Sequence, residues 1–277
     1  MTKTIVVLAA GMSSRMKKSV DSNIDSGKAN EANNKSKSLI TFGNKPFIYF
    51  LLKNILDAGF ETVIMVVGKD FDDFKNQIDD LRLPSKIEVK YAIQKIPSDR
   101  VKPFGTADAV SQTMQQLPEL QKNSFCVCNS DNLYSTSSLK LIRDNSFENA
   151  VLAYDRDSLD FPKERVSSFS ILMMDTEFNL VNFIEKPTPE QVSDNLDENG
   201  KIRVSMNIFK FNGNQSFHFI KNCPINPIRN EKELPSALVN MISEEGLYMR
   251  GIPIAEHVPD LTSKADINTI QKLIDSN

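Results

Sequence analysis

An α/β fold built on a largely parallel sheet is what this 277-residue chain predicts, and three features lead there. Continuous apolar, β-branched runs such as Ile5-Val-Val-Leu8 and Thr62–Val67 have the pattern of strands buried on both faces. Helical stretches of about 10–15 residues separate such runs, as in βαβ units. Two polar clusters, Gly11–Arg15 and Asn129–Asn132, stand at the carboxyl ends of strands, where ligands of these sheets bind.

Taken in order, Ile5–Leu8 is the first strand. The stretch from Lys17 to Ser38 has almost no large apolar residue. It cannot bury enough surface to offset its ordering entropy, so a flexible loop is expected over residues 18–36, tolerant of deletion within Val20–Asn34. Pro46 opens a helix, since its fixed φ and missing N–H are harmless in a first turn. Ile48, Leu51, Leu52, Ile55 and Leu56 share one face of it, and Gly59 ends it. The strand Thr62–Val67 follows, then an amphipathic segment over Phe71–Leu81 and a strand at Ile87–Ile93. A helix at Thr106–Leu117 leads into the apolar strand Phe125–Cys128, which runs into Asn-Ser-Asp-Asn.

The second half has strand-like segments near Ala150–Tyr154, Ser168–Met174, Leu180–Ile184 and Arg203–Phe211, without long helices between them. They predict an added antiparallel lid or small subdomain. A helix near Glu233–Ile242, a strand near Leu247–Ile254 and a helix from Ser263 complete the order. No hexapeptide array or other fixed-period repeat is visible.

The charge balance excludes several function classes. Thirty-three Lys and Arg against 36 Asp and Glu leave a net charge of −3, so no global field attracts DNA, RNA or an anionic membrane. Any anionic ligand must be held by a few placed cations and backbone amides. No apolar run approaches the roughly 20 residues of a membrane helix. Ile5–Ala10 is too short for a signal-peptide core of about 7–15 residues. Three cysteines without C-x-x-C and two distant histidines argue against zinc and for a reduced cytoplasmic setting.

The turn Ala9-Ala-Gly-Met-Ser-Ser-Arg15 combines small residues with Gly11, which lets backbone N–H groups approach phosphate oxygens, and Arg15 offers them a planar charged fork. Ser13 and Ser14 stand where a G-x-G-x-x-G fingerprint needs glycines, and Met16 where a P-loop needs Gly before Lys. Both common nucleotide loops are therefore excluded.

Leu8-Ala-Ala-Gly-Met-Ser-Ser-Arg-Met16, then Lys37-Ser-Leu39 and Gly43-Asn-Lys-Pro46, resemble the signature of nucleotidyltransferases that join a nucleotide to a sugar 1-phosphate. Ser13 replaces the second glycine of that signature and Ser36 the proline before its lysine. The long stretch after Arg15 leaves Lys35 as the alternative register to Lys37. Gln94 and Phe104-Gly-Thr-Ala-Asp-Ala109 resemble the family's base-reading glutamine and G-T-A turn. Asn129-Ser-Asp-Asn132 resembles its strand-end aspartate, and Phe183-Ile-Glu-Lys-Pro187 its E-K-P motif. Val204–Ile208 resembles its N-x-G strand, and Pro259–Asp266 its D-x-x-T-x-x-D run.

That resemblance implies a Rossmann-like three-layer sandwich with a mostly parallel mixed sheet and a small added β-rich sugar-binding part. It also implies one domain over 1–277, with a nucleotide-binding half (1–150) and a sugar-phosphate-binding half (151–277). The implied reaction is Mg²⁺-dependent attack of a sugar 1-phosphate on the α-phosphorus of an NTP, with release of pyrophosphate. No general base is required, because a phosphate monoester, with a second pKa of about 6, is already ionised. The barrier is electrostatic and is lowered by positioning and fixed positive charge. The catalytic set implied is Arg15, Lys37, Asp131 and Lys186, with Asp131 and Asp260 as the metal carboxylates. Leu8, Ala9, Ala10, Gly11, Met12, Ser13, Ser14, Gln94, Gly105 and Thr106 would bind the nucleotide, and Glu185, Lys186 and Asn207 the sugar phosphate. Partners would be NTP and sugar 1-phosphate, with no nucleic acid and no membrane; a homo-oligomer is left open. The alternatives are a cytidylyltransferase for a small phosphorylated alcohol such as phosphocholine, and a non-catalytic nucleotide-sugar-binding regulatory protein. The base and the sugar are not readable from the motifs.

Overall fold

A computed structural model describes residues 1–69, 71–84 and 86–276. The chain runs β1 (Thr4–Leu8), α1 (Ser14–Lys18), α2 (Ser26–Asn34), β2 (Thr41–Phe42), β3 (Lys45–Pro46), α3 (Phe47–Asp57), β4 (Thr62–Val67), α4 (Phe71–Asp79), β5 (Glu88–Ile93), α5 (Thr106–Gln116) and β6 (Ser124–Asn129). It continues through α6 (Thr136–Asp144), β7 (Ala150–Asp155), α7 (Lys163–Val166), β8 (Ile171–Met174), β9 (Leu180–Ile184), α8 (Pro189–Ser193), β10 (Arg203–Asn212), α9 (Gly213–Lys221), α10 (Leu234–Ile242), β11 (Arg250–Ile254) and α11 (Ala265–Asp275).

Among the described residues the main sheet has nine strands, in the order β11-β7-β10-β6-β1-β4-β5, with the β8–β9 hairpin attached through β8 to β10. β1 pairs in parallel with β4 and β6, β4 with β5, and β11 with β7. β10 alone on the main path runs antiparallel to its neighbours, β6 and β7.

Because strand side chains alternate between faces, β1 sends Ile5 and Val7 into one core and Val6 into another. The first core is closed by α3, α4 and α6 through Ile48, Leu51, Phe74 and Leu139. The second is closed by α5 and α10 through Val110, Met114, Leu238 and Met241. Helices thus cover both faces of the sheet, giving the three expected layers of an α/β sandwich. β4 and β6 lie on opposite sides of β1, so the strand order reverses beside β1 and opens a crevice at its carboxyl end.

Two expectations change. Of the four segments expected to form an added lid or subdomain, β7 and β10 belong to the main sheet; only the β8–β9 hairpin lies off its path. Among the described residues between Ala150 and Phe211 only the short α-helices α7 and α8 intervene, as expected, while α6 and α9 lie outside that span and the sequence reading assigns them no element. Within 18–36, expected as a loop, the chain forms α2, capped by the Asp25 side chain accepting from the Lys28 N–H. Tertiary contacts outweigh its polar composition: Ala32 is buried with Met16, Ile40, Phe42 and Leu261 in a third core, and Ile24 packs against it. Glu31 accepts from the Thr41 N–H and hydroxyl and pairs with Lys35. Removing Val20–Asn34 would open that core, so the expected tolerance to deletion does not follow.

Candidate functional site

The crevice beside β1 is a cavity of about 420 Å³ lined by Leu8–Met12, Ser14, Lys37, Gln94, Gly105, Thr106 and Asn129–Asp131. It shares Thr106, Asn129, Asp131, Glu231 and Glu233 with a second cavity of about 490 Å³, which holds Arg15, Arg165, Glu185, Lys186, Asn207, Arg229 and Asp260. The two form one cleft, with Asp131 at their junction. Arg15 and Asp131, separated by more than a hundred residues, face the same space.

The local backbone explains how each group is aimed. Gly11 has no protein atom within 4 Å of an added Cβ and an ordinary φ, so its open face is turned toward the cleft. The left-handed residue of the loop is Ser13 instead, at φ 56° and ψ 29°. Ser13 lies largely buried, and its Oγ accepts the Lys37 N–H at 3.0 Å. It thereby ties the first loop to the lysine, and its side chain is not among those lining either cleft cavity. Ser38 and Ser130 hydrogen bond at 2.8 Å and lock the same segment to the end of β6. Lys37 reaches Asp131, whereas Lys35 is spent on Glu31. Geometry therefore favours Lys37 over the alternative register.

Asp131 and Asp260 are neighbours through main chain. The Leu261 N–H donates to the Asp131 carbonyl at 2.8 Å, and Asn132 bridges to Asp260. Burial and the adjacent Asp131 charge push the Asp260 carboxyl up, against Arg165 and Lys37, which pull it down. Arg165 holds it in a fork: Nη2 lies 2.5 Å from Asp260 and Nη1 2.5 Å from Asp266, and the guanidinium stacks 4.5 Å from the Phe161 ring centre. Among the described residues, Arg15 and Lys186 make no ion pair; they are the uncommitted cations of the cleft.

On the far wall, the β10 register against β7 shifts between Ser205 and Phe209. Such a bulge re-aims a side chain. Here it places Asn207 at φ 57° on the cavity lining, with the buried Tyr134 hydroxyl donating to the Met206 carbonyl at 2.6 Å behind it. Glu185 accepts from Ser170 and pairs with Arg229 at 3.3 Å. Among the described residues six non-glycine positions have positive φ, and Ser13, Lys186 and Asn207 are three of them. Strained backbone of this kind concentrates at functional sites.

The G-T-A turn lines the cavity and also has a structural task. Gly105 has φ +103°, and a Cβ there would lie 2.3 Å from the Lys232 carbonyl oxygen; the Thr106 Oγ1 accepts the Leu234 N–H at 3.0 Å. Glycine and threonine thus dock the 231–234 segment, which carries Glu231 and Glu233 into the cleft. The motifs did not reveal Arg165, Arg229, Glu231 or Glu233. Arg165 sits on the four-residue helix α7 and the other three on the connection between α9 and α10, where the local sequence has no periodic or glycine-rich signal.

A sequence profile for nucleotidyl transferases matches residues 32–250. The chain is 24% identical over 247 residues to a bifunctional protein GlmU of Staphylococcus saprophyticus, covering 89% of this chain and 47% of that protein. It is 25% identical over 216 residues to a mannose-1-phosphate guanylyltransferase catalytic subunit beta of Drosophila pseudoobscura pseudoobscura, covering 76% and 50%. The chain thus spans about half the length of the curated relatives it matches. A crystal structure of HddC from Yersinia pseudotuberculosis complexed with GMP-PN superposes with TM-score 0.64 at 15% identity, covering 99% of this chain and 100% of that one, which shows a shared fold. The protein belongs to the nucleotidyl transferase family. Among the described residues no helix is long and apolar enough to cross a membrane.

Proposed function

We propose that the protein transfers a nucleotidyl group from an NTP to a sugar 1-phosphate, releasing pyrophosphate. The observation that carries this reading is the convergence of Arg15, Lys37, Asp131, Asp260 and Lys186 on one cleft at the carboxyl end of β1. Residues 1–150 then supply the nucleotide side and residues 151–277 most of the acceptor side.

Asp131 and Asp260 fit Mg²⁺ on the chemistry of this site. Both offer hard oxygen donors, and the upward push on Asp260 from burial and from Asp131 is the crowding a divalent cation relieves. Two carboxylates suffice, because Mg²⁺ takes its remaining ligands from water and substrate phosphates. When bound, the ion supplies positive charge to the triphosphate oxygens.

Every other role falls to side chains and backbone of the chain. Arg15, uncommitted, meets the β- and γ-phosphates, and Lys37 turns from Asp131 to the α-phosphate where charge develops. Lys186, also uncommitted, receives the sugar phosphate, with Glu185 and Asn207 accepting from or donating to sugar hydroxyls. The acceptor phosphate arrives as a dianion, so no proton need be removed. Gln94 and the open backbone of Leu8–Gly11 hold the base and ribose.

The test is a pyrophosphate-release screen of the four NTPs against a panel of sugar 1-phosphates and phosphocholine, with and without Mg²⁺. Mg²⁺-dependent release with a sugar 1-phosphate is expected. Nucleotide binding without turnover on any acceptor would replace this reading with that of a regulatory binding protein.

A further inference from the structure

Gln94 is 3% exposed and lines the cavity beneath the first loop. In isolation its amide could offer a base either a donor or an acceptor. Its surroundings remove that choice. The Nε2 group spends both hydrogens, donating to the Gly105 carbonyl at 3.0 Å and to Asp108 Oδ2 at 2.8 Å. The Asp108 carboxylate only accepts, so the amide cannot turn over without setting oxygen against oxygen.

Asp108 is itself held. Its Oδ2 takes a second hydrogen bond from Gln112 Nε2 at 2.9 Å. Gln112 is fixed in turn by the Lys95 main chain, donating to the carbonyl at 3.0 Å and accepting from the N–H at 2.8 Å. The ladder from Lys95 through Gln112 and Asp108 to Gln94 joins the end of β5 to α5, two rigid elements. At its free end is Gln94 Oε1, which no protein donor reaches among the described residues. A largely buried side chain therefore presents a bare acceptor to a cavity.

We infer that Asp108 is a positioning residue that makes Gln94 a one-way acceptor, and that the site thereby prefers nucleotides whose base carries a ring lactam N–H. This rests on the nucleotide reading given above and deepens it. Uracil and thymine at N3, and guanine at N1, present an N–H between or beside carbonyls. Cytosine and adenine donate only from an exocyclic amino group and present an unprotonated nitrogen at the corresponding ring position; with that position held opposite Gln94 Oε1, lone pair would meet lone pair. The negative charge behind the amide strengthens the preference, since a charged partner polarises the bonds it anchors.

The experiment is equilibrium binding of UTP, GTP, CTP and ATP to the full chain by calorimetry, in wild type, Asp108→Ala and Asp108→Asn. Wild type is expected to bind UTP or GTP at least about tenfold more tightly than CTP and ATP, and to lose about as much when the ring N–H is methylated. Asp108→Ala frees the amide to rotate, so the ratio between the two base classes should shrink to about threefold or less. Asp108→Asn should restore the ratio, because its Oδ1 can take both hydrogen bonds that one carboxylate oxygen takes now. A uniform weakening for all four nucleotides in Asp108→Ala, with the ratio kept, would overturn the inference, as would a wild-type preference for CTP or ATP. Absence of binding by every NTP would instead overturn the nucleotide reading on which it rests.

Discussion

The two walls of the cleft are built by opposite means. On the strand-end wall, Leu8–Gly11 and Asn129–Asp131 leave the carboxyl ends of the central strands β1 and β6, and Gln94 that of the edge strand β5. Polar side chains there are locked by backbone: Ser13 to the Lys37 N–H, and Gln94 to the Gly105 carbonyl. On the hairpin wall, Arg165, Glu185, Lys186, Asn207 and Arg229 come from the short helix α7, a bulge, the end of the off-path hairpin and a connection, and their side chains are held mainly by ion pairs, with Lys186 in none among the described residues. The first wall is suited to a ligand of constant shape. The second can change its connections with less disturbance to the sheet, which suits a ligand of variable shape.

Three substitutions test that contrast, and a fourth, at Glu31, lies outside both walls. Asp131→Asn, at the junction of the walls, should cost the most. We expect turnover to fall about 10³-fold, with far-UV circular dichroism unchanged and any rise in melting temperature on adding Mg²⁺ lost; retained turnover would separate Asp131 from the chemistry. Lys186→Met should lower kcat/KM for the sugar phosphate about 10²-fold while leaving the KM for NTP close to wild type. An equal loss for both substrates would erase the distinction between the walls.

Arg165→Met leaves Asp260 and Asp266 without their shared cation and should destabilise the fold by about 2 kcal/mol in urea titrations. A neutral result would mean the fork contributes nothing to stability. The smallest effect belongs to Glu31. Burial pushes its carboxyl up, but Lys35 and the Thr41 donors outweigh this and hold it below the usual range. A depressed folded pKa gives stability that is present above the unfolded value and lost as pH falls through the folded one. Glu31→Gln should therefore lower stability modestly at pH 7, and the wild-type and variant curves should converge in acid. Parallel curves would assign the loss to packing.

The strand-end wall was legible because its chemistry is local. A continuous β-branched run followed by Gly-Met-Ser-Ser-Arg, or by Asn-Ser-Asp-Asn, declares both the strand and the groups at its tip. Asn207 was legible as a residue but not as a bulge, since the shift arises from pairing with β7. Arg165 was silent, because nothing within Lys163–Val166 distinguishes it from a solvated arginine until Asp260 and Asp266 are folded against it. The helix at 26–34 was missed for a related reason. Its composition predicts too little burial, and Met16, Phe42 and Leu261, which supply the burial, come from elsewhere.

What the amino-acid order determines alone is the alternation of strands and helices, the absence of a general electrostatic attraction for polyanions, and which polar groups end the central strands. These follow from side-chain periodicity and charge, which act within a few residues. What only the tertiary structure decides is which carboxylates meet which cations, that Gly105 must be glycine because the Lys232 carbonyl lies against it, and which way the Gln94 amide faces. Those outcomes depend on atoms far apart in the chain approaching within hydrogen-bond distance, and a short-range pattern carries no record of such approaches.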